Sequence, residues 1–241
     1  MLFFICHSVK KNSKEKKNGL FFLNFWFTLA SFIEIMTSMQ NLVLNPVDES
    51  ARGPTPFSHW VIPKLLLASA YPGEKNPNSH KLLTRKIFDA GVQVIVNIME
   101  IEELKTFTPY QDVMLQYAKE ENREIEFVSF PIQDQSVHQD NQCVLDFCLE
   151  LCDRVKRGQV VLVHCWGGHG RTGTIISIMI GILFNLNSKE AIFMNRRLHD
   201  QRIRTNGIPS PEAQSQIDQI RIILDEMYLK NNEKIEYETK M

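Results

Sequence analysis

The sequence predicts an α/β fold: a mainly parallel central sheet flanked by helices. Three observations predict it. Val92 to Met99 (VQVIVNIM), Glu124 to Phe130 (EIEFVSF) and Gln159 to His164 (QVVLVH) are short apolar runs rich in β-branched residues, as in strands buried on both faces. Longer segments with helical spacing alternate with them, the order that builds a parallel sheet. At 241 residues, with 44% hydrophobic and 23% charged side chains, the chain can bury a core without disulfide or metal staples.

The first forty residues differ from the rest. Lys10, Lys11, Lys14, Lys16 and Lys17 form a basic run opposed only by Glu15. Leu20 to Met36 is apolar but interrupted by Asn24, Thr28, Ser31 and Glu34, and at 17 residues it falls short of the roughly 20 that a spanning helix needs. The reading adopted is a disordered or non-native leader over 1–40, with Met36 or Met39 as the working start. The competing readings are a signal anchor or interfacial amphipathic helix that touches a membrane through residues 20–36, since its four polar positions share one stripe, and, less favoured because the apolar stretch starts late, a secretory signal peptide. The leader carries +3, so a chain of net charge -1 leaves -4 on the remainder, which argues against a nucleic-acid partner. Five cysteines, an odd count without framework spacing, favour a reducing compartment and cytoplasmic localisation.

Residues 41–230 form the expected folded domain, followed by a charged tail at 231–241. Asn41 to Ser58 contains Pro46, Gly53, Pro54 and Pro56 and reads as an irregular lead-in. Trp60–Ile62 and Leu65–Ser69 read as strands, closed by Pro72-Gly73. A helix is expected over 78–90, ending at Gly91, and a polar loop over Pro131–Gln139. Residues 140–157 place Val144, Phe147, Cys148, Leu151 and Val155 on one helical face. Thr172 to Leu186 is a strongly apolar helix, Ser188 caps another reaching about Ile203, and Pro211 opens a last helix reaching about Leu229.

In parallel sheets ligands bind beyond the carboxyl ends of strands, which directs attention to the strand ending at His164. There follows Cys165-Trp166-Gly167-Gly168-His169-Gly170-Arg171-Thr172-Gly173, then a helix. Three glycines let backbone N–H groups turn inward, and the helix N-terminus favours an anion. Arg171 adds a fork matched to two phosphate oxygens, and a cysteine in that field is expected as the thiolate. A Walker A loop is excluded because Arg171 stands where its Lys belongs. No second ligand pair supports a metal at His164 and Cys165, so no metal or organic cofactor is expected. A rhodanese-like sulfur-transfer loop is the lesser rival.

HCWGGHGRTG resembles the His-Cys-x5-Arg-Ser/Thr signature of the protein tyrosine phosphatase superfamily, and most closely its compact dual-specificity and atypical dual-specificity branch. SHWVIPKLLLASAYPG is similar to the entry segment of such domains, and VQVIVNIMEIEEL to their early strand and turn, so the resemblance covers about Trp60 to Leu229. It implies a cysteine phosphatase fold and a phosphate-binding loop formed by Trp166, Gly167, Gly168, His169, Gly170 and Arg171. It also implies Cys165 as nucleophile, Thr172 as donor to the thiolate and His164 as a tuning group behind the loop, against the plainer reading of a core histidine.

A leaving oxygen needs a proton. Phe130-Pro131-Ile132-Gln133-Asp134-Gln135-Ser136-Val137 resembles the family's acid loop, which makes Asp134 the general acid. Asp140 is the runner-up, although it suits a helix cap. Gln135 and Ser136 stand where the family often has Gly or Pro. Gln216 matches a downstream water-positioning Gln of some members. The loop has no Lys; His169, partly charged at neutral pH, is its only other cation. That favours a single phosphate on tyrosine or serine/threonine of a phosphorylated protein substrate, with a phosphoinositide or inositol phosphate as the alternative and a catalytically silent phosphate-binding module as the rival of another class. Trp166 is read as an apolar wall for a phenyl ring or as core packing. Arg196, Arg197, Arg202 and Arg204 are read as a solvated helix face, or as steering for acidic substrates. Cys148 and Cys152 are read as core thiols.

Overall fold

The computed structural model describes residues 42–239, with side chains to Leu229, and also Leu2 and Phe3. The remaining leader residues, including the membrane-contact reading of 20–36, lie outside the described residues. Among the described residues six strands form one sheet: β1 (Leu2–Phe3), β2 (Ser58–Ile62), β3 (Leu66–Ser69), β4 (Val94–Asn97), β5 (Glu126–Ser129) and β6 (Val161–His164). Their order is β1-β5-β4-β6-β3-β2. All neighbours are parallel except the β2–β3 hairpin, so the sheet is mixed and mostly parallel, as expected.

The strands are shorter than the apolar runs suggest, yet their register is what builds the site. Ser69 and Asn97 both pair with His164, and Asn97 pairs with Ser129. Four parallel strands therefore end at one level, and the loops that leave them converge on a single edge of the sheet.

Helices cover both faces: α1 (Pro77–Asp89), α2 (Ile101–Leu104), α3 (Gln111–Glu120), α4 (Asn141–Lys156), α5 (Gly170–Phe184), α6 (Ser188–His199) and α7 (Gln214–Thr239). Asn76 caps α1 by accepting from the amides of Asn78 and Ser79, and Gly91 turns the chain out at φ +88°. Asp140 caps α4 by accepting from Gln142 and Cys143 N–H, so the runner-up acid is engaged as a cap. Cys148 and Cys152 are buried core thiols, and burial pushes the Cys152 thiol up to about 12.

Several helix limits differ from expectation. α3 carries no clear helix signal in the sequence. It begins at Tyr110 without a side-chain cap and is held by tertiary contacts, among them an Arg85–Glu121 ion pair and Arg123 lying 4.0 Å over the Phe88 ring. α5 starts at Gly170 instead of Thr172, so Arg171 lies in its first turn. Asn187, not Ser188, caps α6, in a capping box with Glu190, and α6 stops at His199, four residues short. α7 starts at Gln214 instead of Pro211, and the Gln216 side chain accepts from the Glu212 and Ala213 amides that precede it.

Candidate active site

The loop between β6 and α5 is a cradle because its carbonyls are tied outward. His164 Nδ1 contacts Cys165 O at 3.1 Å, Tyr71 N–H donates to Trp166 O at 2.8 Å, Arg202 Nη1 donates to Gly167 O at 3.5 Å, and Ser210 Oγ donates to His169 O. In a planar trans peptide the next N–H points opposite to the carbonyl. Each tie therefore turns an amide toward the interior of the loop, where α5 also presents its first turn. Gly168 is required here: its φ is +73°, and a Cβ would sit 2.5 Å from the Ser69 carbonyl carbon.

Cys165 is buried at the carboxyl end of β6, facing this cradle. His164 lies fully buried beneath it. A carbonyl can only accept, so His164 Nδ1 carries the proton and Nε2 accepts from the Tyr110 hydroxyl at 2.7 Å. Burial lowers His164 to about 4, and it is neutral at physiological pH. Thr172 Oγ1 is buried in the first turn of α5 and has no hydrogen-bond partner.

Arg171 is 2% exposed, and among the described residues its two Nη nitrogens make four hydrogen bonds while Nε makes none. Its Nη1 donates to Glu103 Oε1 at 2.6 Å and to Ile132 O at 2.9 Å; its Nη2 donates to Glu103 Oε2 at 2.9 Å and to Asp134 Oδ1 at 2.7 Å. Glu103 is a functional neighbour that sequence reasoning missed. It completes the capping box of α2 by accepting from Glu100 N–H, and it holds both Nη nitrogens of the guanidinium in a bidentate pair. Burial raises its carboxyl, but the Arg171 hydrogen bond, the Glu100 amide and the Arg171 charge outweigh this, and the net displacement is downward. The acidic IEEL turn was a visible signal for the cap alone. The partner lies 68 positions away.

The acid loop brings Asp134 to the same guanidinium, with its side chain 47% exposed. Gln135 adopts φ +56°, so the chain makes the left-handed turn here without a glycine. Gln216 lies behind this loop: its Nε2 donates to Ser136 O at 3.3 Å while its Oε1 accepts from the Glu212 and Ala213 amides. Asp134, Cys165, Trp166, Arg171 and Gln216 line one cavity of about 280 Å³. A neighbouring groove of about 590 Å³ shares Trp166 and the loop glycine Gly167, and Phe107 forms one of its walls. Trp166 is 58% exposed and meets Phe107 edge-on at 5.7 Å, so it is a wall and not core packing.

Two readings of charge are corrected. His169 is not partly charged: it is buried, hydrogen-bonded through Nδ1 to His199 Nε2 at 2.8 Å, and lowered to about 4 by burial and by the Arg202 charge. Nor do the four arginines form one solvated face. Arg196, Arg197 and Arg204 are exposed, but Arg202 is buried behind the cradle.

A cysteine, the tied loop, a firmly held guanidinium and a carboxylate on one cavity form a site of the cysteine phosphatase class. The chain belongs to the family described as the Swiss Army Knife protein, DSP-PTPase phosphatase domain, which matches residues 55–219. It is 32% identical over 79 residues to a putative tyrosine phosphatase 067L of Invertebrate iridescent virus 3, a match spanning 32% of this chain and 33% of that relative. Among solved structures, kinase-associated phosphatase with serine replacing its catalytic-site cysteine aligns at TM-score 0.54 and 22% identity, covering 67% of this chain and 86% of that one. PTPMT1 in complex with PI(5)P aligns at TM-score 0.55 and 16% identity, covering 73% and 99%. These structural likenesses establish the dual-specificity phosphatase fold.

Proposed function

We propose that the protein hydrolyses phosphate monoesters on tyrosine and/or serine/threonine of proteins through a cysteinyl-phosphate. The observation that carries this is the convergence of Cys165, the tied loop amides, Arg171 and Asp134 on one cavity. The Cys165 thiolate attacks phosphorus while the amides and Arg171 hold the equatorial oxygens. The bond from phosphorus to the leaving oxygen breaks, and protonated Asp134 gives that oxygen its proton. Water then attacks the cysteinyl-phosphate, Asp134 takes the proton, and the Thr172 hydroxyl donates to the departing thiolate. Gln216 is suited to holding Asp134's loop, and water positioning by it comes second.

A protein phosphate is favoured over an inositol phosphate because Arg171 is the only charged base-side group within the loop, His169 being neutral. The exposed Trp166 face offers a wall to an aryl group. Cys165→Ser is expected to abolish turnover of p-nitrophenyl phosphate while keeping vanadate-competitive binding of phosphate, and full turnover would refute the mechanism. A side-by-side panel of phosphopeptides, inositol phosphates and phosphoinositides tests the substrate class. Preferential hydrolysis of PI(5)P would shift the reading toward lipid.

A further inference from the structure

Behind the cradle lies a second buried group of titratable side chains, which the reaction above does not use. His59, His169, His199 and Arg202 pack together under the loop. The His59 and His199 rings meet edge-on at 5.8 Å, and those of His169 and His199 at 5.0 Å. Arg202 Nε donates to His59 Nδ1 at 2.8 Å. His59 is therefore the Nε2–H tautomer and cannot also be a cation. Burial, with the Arg202 charge second, lowers His199 to about 2, so the three imidazoles leave Arg202 as the cluster's charge.

Arg202 is unusual in what it lacks. Among the described residues it takes part in no ion pair, and its Nη2 is buried without a hydrogen-bond partner. The carboxylate of Asp200 stands at the edge of the cluster, exposed, and 3.7 Å from His199 Nδ1. A buried cation without a counter-charge is a poor structural element, because an apolar side chain of the same volume packs there without desolvation cost. Burial lowers Arg202 to about 9, and the one opposing influence is Cys165 on the far side of the loop.

We infer that Arg202 is a positioning residue for the phosphate cradle: it supplies a permanent positive charge behind the loop and, through Gly167 O, holds the Gly168 amide inward. Two groups thus share the anion. Arg171 grips it directly, and Arg202 biases the loop toward negative charge from the rear. His59 keeps the guanidinium in place without neutralising it. The inference rests on the phosphatase reading only for its turnover arm.

The test compares Arg202→Met, Arg202→Gln and Arg202→Lys in the full chain, by thermal melting, vanadate affinity, the rate of Cys165 alkylation by iodoacetate at pH 6, and the pH profile of p-nitrophenyl phosphate turnover. The neutral variants are expected to melt at or above the parent temperature, to bind vanadate about tenfold more weakly and to alkylate about tenfold more slowly. The acid limb of kcat/KM moves to higher pH, and Arg202→Lys recovers part of each loss. Unchanged vanadate affinity and alkylation would overturn the inference. So would losses that merely track a lowered melting temperature, or failure of both neutral variants to fold, since the cation would then be a structural necessity. If the parent turned over no phosphate monoester yet the vanadate and alkylation arms responded as expected, the phosphatase reading would fail and the role of Arg202 would stand.

Discussion

Arg171 and Arg202 flank one loop and are almost equally buried, at 2% and 5% exposure, yet their surroundings are opposite. Arg171 has two carboxylates and a carbonyl; Arg202 has a neutral imidazole and a long contact to a carbonyl. Acceptors on both Nη nitrogens fix the direction of Arg171 and leave its Nε–H free for a ligand. A guanidinium held on both Nη nitrogens by Glu103 cannot rotate away from the cradle. Isolation preserves field, because an uncompensated charge acts on its neighbours at full strength in a low-dielectric interior. The same residue type thus serves as a geometric part on one side of the loop and as an electrostatic one on the other.

The comparison can be broken first at Arg171. Arg171→Met is expected to lower kcat/KM for p-nitrophenyl phosphate about a thousandfold, since it removes the directed donors themselves. A variant that keeps more than a tenth of parental turnover would place the oxyanion contact elsewhere.

Glu103→Gln sharpens the comparison, because it makes Arg171 resemble its under-partnered counterpart. Turnover is expected to fall about tenfold to a hundredfold, with lower stability near neutral pH. The folded-state value for Glu103 lies below the ordinary 4.5, so between the two values the unfolded chain binds more protons. Its stabilising contribution is therefore present above about pH 4.5 and lost on acidification. Melting curves of the two proteins should converge at low pH, and a constant gap would contradict the pairing.

The histidines give a third, smaller effect. His164 and His169 are lowered to about 4, His199 to about 2, and His59 well below its usual range, each chiefly by burial. Unfolding frees them to take up protons below about pH 6.5. Stability is expected to drop as pH falls from 6.5 toward 4, with uptake on unfolding approaching four protons near pH 5. Flat denaturation midpoints across that window would mean that the cluster is already charged.

The least effect is expected at the acid loop. Gln135→Gly relieves a left-handed φ of +56° but loosens the unfolded chain. The two nearly cancel, so the melting temperature should move by no more than about 2 °C with turnover unchanged. A large loss of turnover would show that the Gln135 side chain acts on substrate.

Much of this was legible along the chain. The strand before Cys165, the glycines, Arg171 and Asp134 are local signals whose chemistry follows from neighbours in sequence, and the structure brings these residues to one cavity. α3 is not legible in sequence because its start lacks a capping side chain and its support comes from α1. The arginine run 196–204 looked uniformly solvated because periodicity cannot tell which member a terminated helix turns inward; α6 stops at His199 and Arg202 faces the core.

The sequence by itself determined the alternating elements, the cradle and the cysteine that opens it, because those depend on side chains within a few residues of each other. Only the tertiary structure decided which cations have partners. Glu103 reaches Arg171 across 68 positions and His59 reaches Arg202 across 143. Such pairings are set by strand register and by where loops leave the sheet, and a buried charge derives its meaning from what stands within a few ångströms of it.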